Sequence, residues 1–190
     1  MHMSTSVLIR TVWSCTLLVA LSAAPLAAQA PSPTGGEVPE ASPDDVSSID
    51  AIITALYDVI SGPAGQERDW DRFRSLHIPE ARLIPSGPRQ QGGNGAFVLS
   101  LGDYIERAGQ SLVESGFFEI EIGRTLERFE NIAHAFSTYE SRRTPDGEVF
   151  QRGINSIQLM WDGERWWIMN IFWRGVGGDH EIPEKYLKQR

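Results

Sequence analysis

Residues Asn131 to Trp173 read NIAHAFSTYESRRTPDGEVFQRGINSIQLMWDGERWWIMNIFW, and this stretch decides the fold. Apolar and polar residues alternate along it, β-branched and aromatic side chains dominate, and Asp146-Gly147 and Asp162-Gly163 interrupt it. Alternation with period two marks strands that rest one face on a core, and Asp-Gly is a preferred pair for a two-residue type I′ hairpin turn. Three antiparallel strands follow from this reading. The preceding FFEIEIGRTLERF, residues 117–129, alternates in the same way and adds a fourth.

Upstream, the apolar period becomes that of a helix. Ser42 is placed to cap a first helix, with Pro43 in its first turn and Asp44 and Asp45 at the positive end of its dipole. Val46, Ile49, Ile53, Leu56 and Ile60 form its stripe, and Gly62-Pro63 ends it. A shorter helix is expected after Asp69, with Trp70, Phe73 and Leu76 on one side, followed by a short strand at ARLIP, residues 81–85. SGPRQQGGNG, residues 86–95, is a polar loop that lacks the Gly-Lys-Ser/Thr ending of a phosphate cradle. AFVLS then predicts a brief strand. Ser100 with Asp103 forms a capping box for a third helix that carries Leu101, Tyr104, Ile105, Ala108 and Leu112 and stops at Gly116. Helices first and a long meander afterwards make an α+β plan, one curved antiparallel sheet with three N-terminal helices on one face.

The ends predict a different role. Residues 1–28 read as a signal peptide: Arg10 gives a basic start, TVWSCTLLVAL is too short to span a bilayer comfortably, and SAAPLAAQA offers small residues for cleavage. Cleavage after Ala28 is preferred to Ala30, which would leave Pro31 at the new terminus. Residues 29–43 form a Pro/Gly/Ser-rich flexible linker, 44–176 the folded domain and 177–190 a polar tail. The expected location is periplasmic or extracellular, without a stable membrane anchor. Cys15 is the sole cysteine and lies in the leader, so the mature chain would have no disulfide, thiolate chemistry or Cys-based zinc site. A net charge of −8 and the lack of a long Lys/Arg cluster argue against nucleic acid and anionic membrane surfaces as partners.

RFRSLHIPEARLI before the loop, and AHAFSTYESRR with RGINSIQLMWDGERWWIMNIFW at the end, resemble in order and kind the nuclear transport factor 2-like superfamily, in particular its SnoaL-like secreted bacterial members. The resemblance covers about Asp44 to Arg174. It implies a cystatin-like cone, a bent sheet wrapped on helices with a pocket at the wide end. Relatives of this kind include ketosteroid isomerases, polyketide cyclases, dehydratases and epoxide hydrolases. One fold with many reactions requires the site to be argued from its own residues.

If both Asp-Gly pairs are two-residue turns, Tyr139 pairs with Ile154, Ser137 with Ser156 and with Met169 beyond it, and Gln158 with Trp167. Parity then gathers Ala133, Ala135, Ser137, Tyr139, Ile154, Ser156, Gln158, Met160, Trp167, Met169, Ile171 and Trp173 on one face. Small residues and isolated polar groups among aromatics suit a ligand cavity, so this face is expected to line the pocket, with Arg124, Ser137, Tyr139, Ser156, Gln158, Trp167 and Trp173 as ligand-binding candidates. The other face carries His134, Glu140 and the expected cross-strand pair Asn155–Asn170; it is half apolar and predicts a homodimer. One β-bulge would exchange these assignments along part of a strand.

The chemistry is sparser. His134 or Tyr139 would serve a reaction if there is one, as general base or hydroxyl donor. His77 and His180 read as surface residues, Asp69 and Asp71 as helix caps, and Glu119 and Glu121 as the solvent side of an alternating strand. Arg124, Arg143 and Arg152 offer charge for an anionic ligand or for neighbouring glutamates. With no HxH, HExxH or clustered carboxylates, neither a metal nor a cofactor is expected. The leading expectation is binding of a small, partly apolar ligand without an identifiable catalytic set. The alternatives are a cofactor-free lyase or isomerase of the polyketide cyclase or ketosteroid isomerase type, and a dimeric scaffold with a filled cone.

Overall fold

Ser48 divides what the apolar stripe presents as one helix. In the computed structural model, which describes residues 38–187, α1 covers Pro43–Val46 and α2 covers Ile49–Ile60. The Ser48 hydroxyl accepts from the Ala51 N–H and so caps α2 itself. Ile52, Ile53, Ala55, Leu56, Val59 and Ile60 are buried along α2. Each large aliphatic side chain of that row contributes about 1.5–3 kcal/mol. Helix α3, Trp70–Ser75, is capped by Asp69, and α4, Leu101–Ser115, carries the complete Ser100–Asp103 capping box and stops at Gly116 with φ 66°. Buried Arg68 donates to the carbonyls of Ile60, Gly62 and Leu112, which ties the ends of α2 and α4 together. The signal-peptide reading and most of the linker lie outside the described residues.

The sheet has six strands: the four long ones expected, a first strand much longer than the expected residues 81–85, and a short one at residues 94–96 rather than 96–100. They are β1 (His77–Pro88), β2 (Asn94–Ala96), β3 (Phe118–Phe129), β4 (Ile132–Arg142), β5 (Gln151–Trp161) and β6 (Trp166–Gly177), ordered β2-β1-β6-β5-β4-β3. The last four form the expected antiparallel meander, while β1 joins β6 in parallel. The fold is α+β, a curved sheet with its core against the helices. A 3-10 turn at Glu184–Tyr186 brings the tail across the outer face, where Thr138 Oγ1 donates to the Tyr186 carbonyl at 2.8 Å.

The expected registers are wrong, and the turns explain it. Asp146-Gly147 sits inside a longer connection between Arg142 and Gln151, so Tyr139 pairs with Gly153, not Ile154. Asp162 begins a four-residue connection in which its Oδ1 accepts from the N–H groups of Glu164 and Arg165. A bulge follows: Gln158 pairs with Asn170 but Leu159 with Ile168, leaving Met169 as the extra residue. The odd shift turns Ile154, Ser156, Gln158 and Met160 to the outer face, and Trp167 joins them opposite Met160. Asn155, Ile157, Leu159, Trp166 and Ile168 face inward instead, and the partner of Asn155 is Trp173 rather than Asn170.

Candidate functional site

Strand β3 carries a bulge of its own. Arg124 pairs with Ser137, but Glu121 pairs with Tyr139 and Glu119 with Ser141, so Ile122 is supernumerary. Both glutamates therefore point inward with Tyr139, while Ile120 is 49% exposed on the outside. The solvent-side reading of Glu119 and Glu121 is corrected by this geometry: Glu119 is only 9% exposed.

Glu119 lines a cavity of about 200 Å³ between helices and sheet. Helix α2 contributes Leu56, Tyr57 and Ile60, and α4 contributes Tyr104 and Leu112; Tyr139, Asn155, Ile171 and Trp173 rise from the sheet. Among the described residues no Arg, Lys or His lines this cavity. Ser141 Oγ donates to Glu119 Oε2 at 2.9 Å, and Asn155 Nδ2 donates to Glu119 Oε1 at 3.3 Å and to Tyr57 Oη at 3.1 Å. Burial lifts the Glu119 carboxyl to about 7, against the opposing pull of those two donors. Burial also raises the phenols of Tyr57, Tyr104 and Tyr139, and the charge of Glu119 adds to this at all three. They stay protonated and able to donate. Among the described residues the hydroxyls of Tyr104 and Tyr139 have no hydrogen-bond partner.

Neighbours across the sheet and between elements explain these placements. Tyr139, Gly153 and Gly175 lie in one row across β4, β5 and β6. A side chain at Gly153 would come within 2.5 Å of Tyr139 Oη, so the glycines leave the floor on which the tyrosine ring lies. Tyr104 is held by stacking on Phe73, centroids 5.5 Å apart, and by the edge of Trp173 at 6.3 Å.

The other candidates fall elsewhere. Ser137 is fully buried beside Tyr57, with Tyr57 Oη and Ser137 Oγ 2.8 Å apart. Arg124 is buried under α2, paired with Glu121 at 2.6 Å and with Asp50 at 2.6 Å. His134 and Ser156 hydrogen-bond to each other at 2.8 Å on the outer face. Gln158 accepts from Asn170 there, and Trp167 lies under the Arg165 guanidinium at 3.7 Å. Arg152 and Arg142 pair with Glu140 on the outer face, and Arg143 donates to Ser115 beside α4. His77, expected at the surface, is fully buried, because β1 begins directly under α3 and sets its ring, tilted, against Phe73.

Solved structures resemble the chain in fold. The likeness is to nuclear transport factor 2-like proteins. A nuclear transport factor 2-like protein of unknown function from Silicibacter pomeroyi is 12% identical, with TM-score 0.48 over 68% of this chain and 94% of its own. A hexachlorocyclohexane dehydrochlorinase from Novosphingobium barchaimii is 11% identical, with TM-score 0.49 over 72% and 93%. An uncharacterised protein with a cystatin-like fold from Caulobacter vibrioides is 12% identical, with TM-score 0.47 over 73% and 90%. No protein-family model and no curated protein matches the chain. The likeness concerns the nuclear transport factor 2-like fold; the dehydrochlorinase activity is that of the Novosphingobium protein.

Proposed function

We propose that the cavity binds a small, uncharged, largely apolar carbonyl compound and that Glu119 moves a proton on it, as in a cofactor-free isomerase or lyase. The observation that carries this reading is a buried carboxyl held at about 7 in a largely apolar cavity with two unpartnered tyrosine hydroxyls. A base poised near neutrality has both the ionised form and the driving force for proton transfer. The C–H bond beside the carbonyl breaks to Glu119, and its electron pair moves onto the carbonyl oxygen. Tyr104 and Tyr139 donate to that oxygen as its charge grows. The proton then returns to another carbon, or a leaving group departs from the adjacent one.

The size and charge of the cavity narrow the ligand. A volume of about 200 Å³ lies below the roughly 300 Å³ at which ordinary ligand clefts begin, which suits a single-ring compound. The absence of a lining cation disfavours an anionic one. Binding without chemistry is the second reading, favoured by the anchoring of both Glu119 oxygens by Ser141 and Asn155.

The test is α-proton exchange of monocyclic ketones in deuterated water, followed by proton NMR. The wild type should exceed buffer on at least one ketone, and Glu119→Gln should lower that rate by about 100-fold or more. Rates equal to buffer throughout, with Glu119 titrating near 4.5, would reject the reading.

We also propose a homodimer through the outer face, supported by exposed Phe129, Ile132 and Phe172 there; light scattering that gives the monomer mass at all concentrations would reject it. Export remains a proposal that rests on the leader-like residues 1–28.

A further inference from the structure

Hydroxyl and amide groups leave a chain of hydrogen bonds with only one workable direction. It begins at Arg124, which donates Nε and Nη2 to the two oxygens of Glu121. Those oxygens face Ser137 as acceptors, so the single Ser137 hydroxyl proton goes to Glu121 Oε1. Ser137 Oγ can then only accept from Tyr57 at 2.8 Å, and the phenol proton of Tyr57 is committed to it. The Tyr57 oxygen in turn can only accept from Asn155, which turns the amide nitrogen, not the oxygen, toward both Tyr57 at 3.1 Å and Glu119 at 3.3 Å. An amide's two ends are otherwise nearly indistinguishable by shape, and here the hydrogen-bond direction decides between them. Tyr57 has no proton left for a ligand.

We propose that Ser137 is a positioning residue: by taking the proton of Tyr57 and giving its own to the Arg124–Glu121 pair, it obliges Asn155 to donate to Glu119. This rests on the reading of Glu119 as the cavity's proton carrier. The groups that bear on Glu119 are Tyr57 from α2, Tyr104 from α4, Tyr139 and Ser141 from β4, and Asn155 from β5, with Glu121 acting on Tyr57 from the same strand.

Ser137→Ala removes the acceptor for Tyr57 without changing charge or adding volume. The Tyr57 hydroxyl then donates to Asn155, the amide turns over, and Glu119 faces a carbonyl where it had a donor. The carboxylate form loses support. The titration of Glu119, followed by carbon-13 NMR of the carboxyl and assigned with Glu119→Gln, should move up by about one pH unit. The pH profile of any exchange activity should move with it. An unchanged or lowered Glu119 titration in folded Ser137→Ala, even with a reduced Tm, would overturn the proposal and leave Ser137 with a packing role. Because the NMR titration needs no turnover, failure of the proton-transfer reading shows separately, as exchange no faster than buffer.

Discussion

Glu119 and His77 are both buried ionisable groups, and they sit at opposite ends of one aromatic run. Trp173 and Tyr104 at the cavity lead through Phe73 to His77, whose ring centroid is 4.5 Å from that of Phe73. Burial disfavours the charged form of each, lifting Glu119 to about 7 and lowering His77 to about 4. Their surroundings differ. Glu119 has two donors, three tyrosines and open volume beside it. His77 donates Nδ1 to the Phe73 carbonyl at 2.7 Å, and its Nε2 has no partner among the described residues. The same desolvation gives a poised group where polar neighbours and space are provided, and an inert neutral ring where they are not.

The two groups act on stability with opposite slopes in overlapping windows. Between about 4.5 and 7 the unfolded chain has released the Glu119 proton while the folded chain keeps it, so that contribution falls as pH rises. Between about 4 and 6.5 the unfolded chain protonates His77 while the folded chain does not, so that contribution rises with pH. From 4.5 to 6.5 they largely cancel. The strongest way to break the comparison is to remove one partner. Glu119→Gln should leave stability rising by roughly 3 kcal/mol from pH 4 to 6.5, and His77→Phe should leave it falling by a similar amount from 4.5 to 7. Urea denaturation across pH reads both, and parallel profiles in the two variants would contradict the assignment.

Smaller changes sharpen it. Gly153→Ala places a methyl against the Tyr139 hydroxyl and the Arg174 carbonyl, for an expected loss of about 1–3 kcal/mol. Its His77 arm should persist, because Tyr139 stands at the cavity end. Retention of wild-type stability would show that the ring has room to move. The smallest effect is expected on the far side of the sheet. An added Cβ at Gly123 would meet the Tyr186 carbonyl at 2.5 Å, so Gly123→Ala should loosen the tail. Faster proteolysis after Gly177 with both pH arms unchanged is the expected result, and an altered Glu119 titration would show coupling that the contacts do not.

The cavity was only half legible. Alternation puts Tyr139 and Trp173 on the face that does line it, and helical periodicity carries Tyr104. Glu119 was hidden because FEIEI reads with its isoleucines inside until the bulge at Ile122 is known. The one available signal was the short Glu130–Asn131 link, which pairs Phe129 with Ile132 and sets Arg124 opposite Ser137. It does not show where an extra residue enters. Asn155 was lost for a related reason, since its face depends on a connection longer than the Asp-Gly pair suggested.

The amino-acid order by itself determined what depends on neighbours in the chain. The Asp69 and Ser100 caps, the Gly116 stop, the strand-forming segments and their antiparallel succession all follow from local hydrogen bonds and side-chain periodicity. Tertiary structure alone decided which side of each strand became the interior, that β1 would lie parallel to β6, and that Glu119 and His77 would both be taken out of water. The physical reason is parity. A strand's face reverses with a single inserted residue, and only packing against α2 and α4 fixes where that insertion falls.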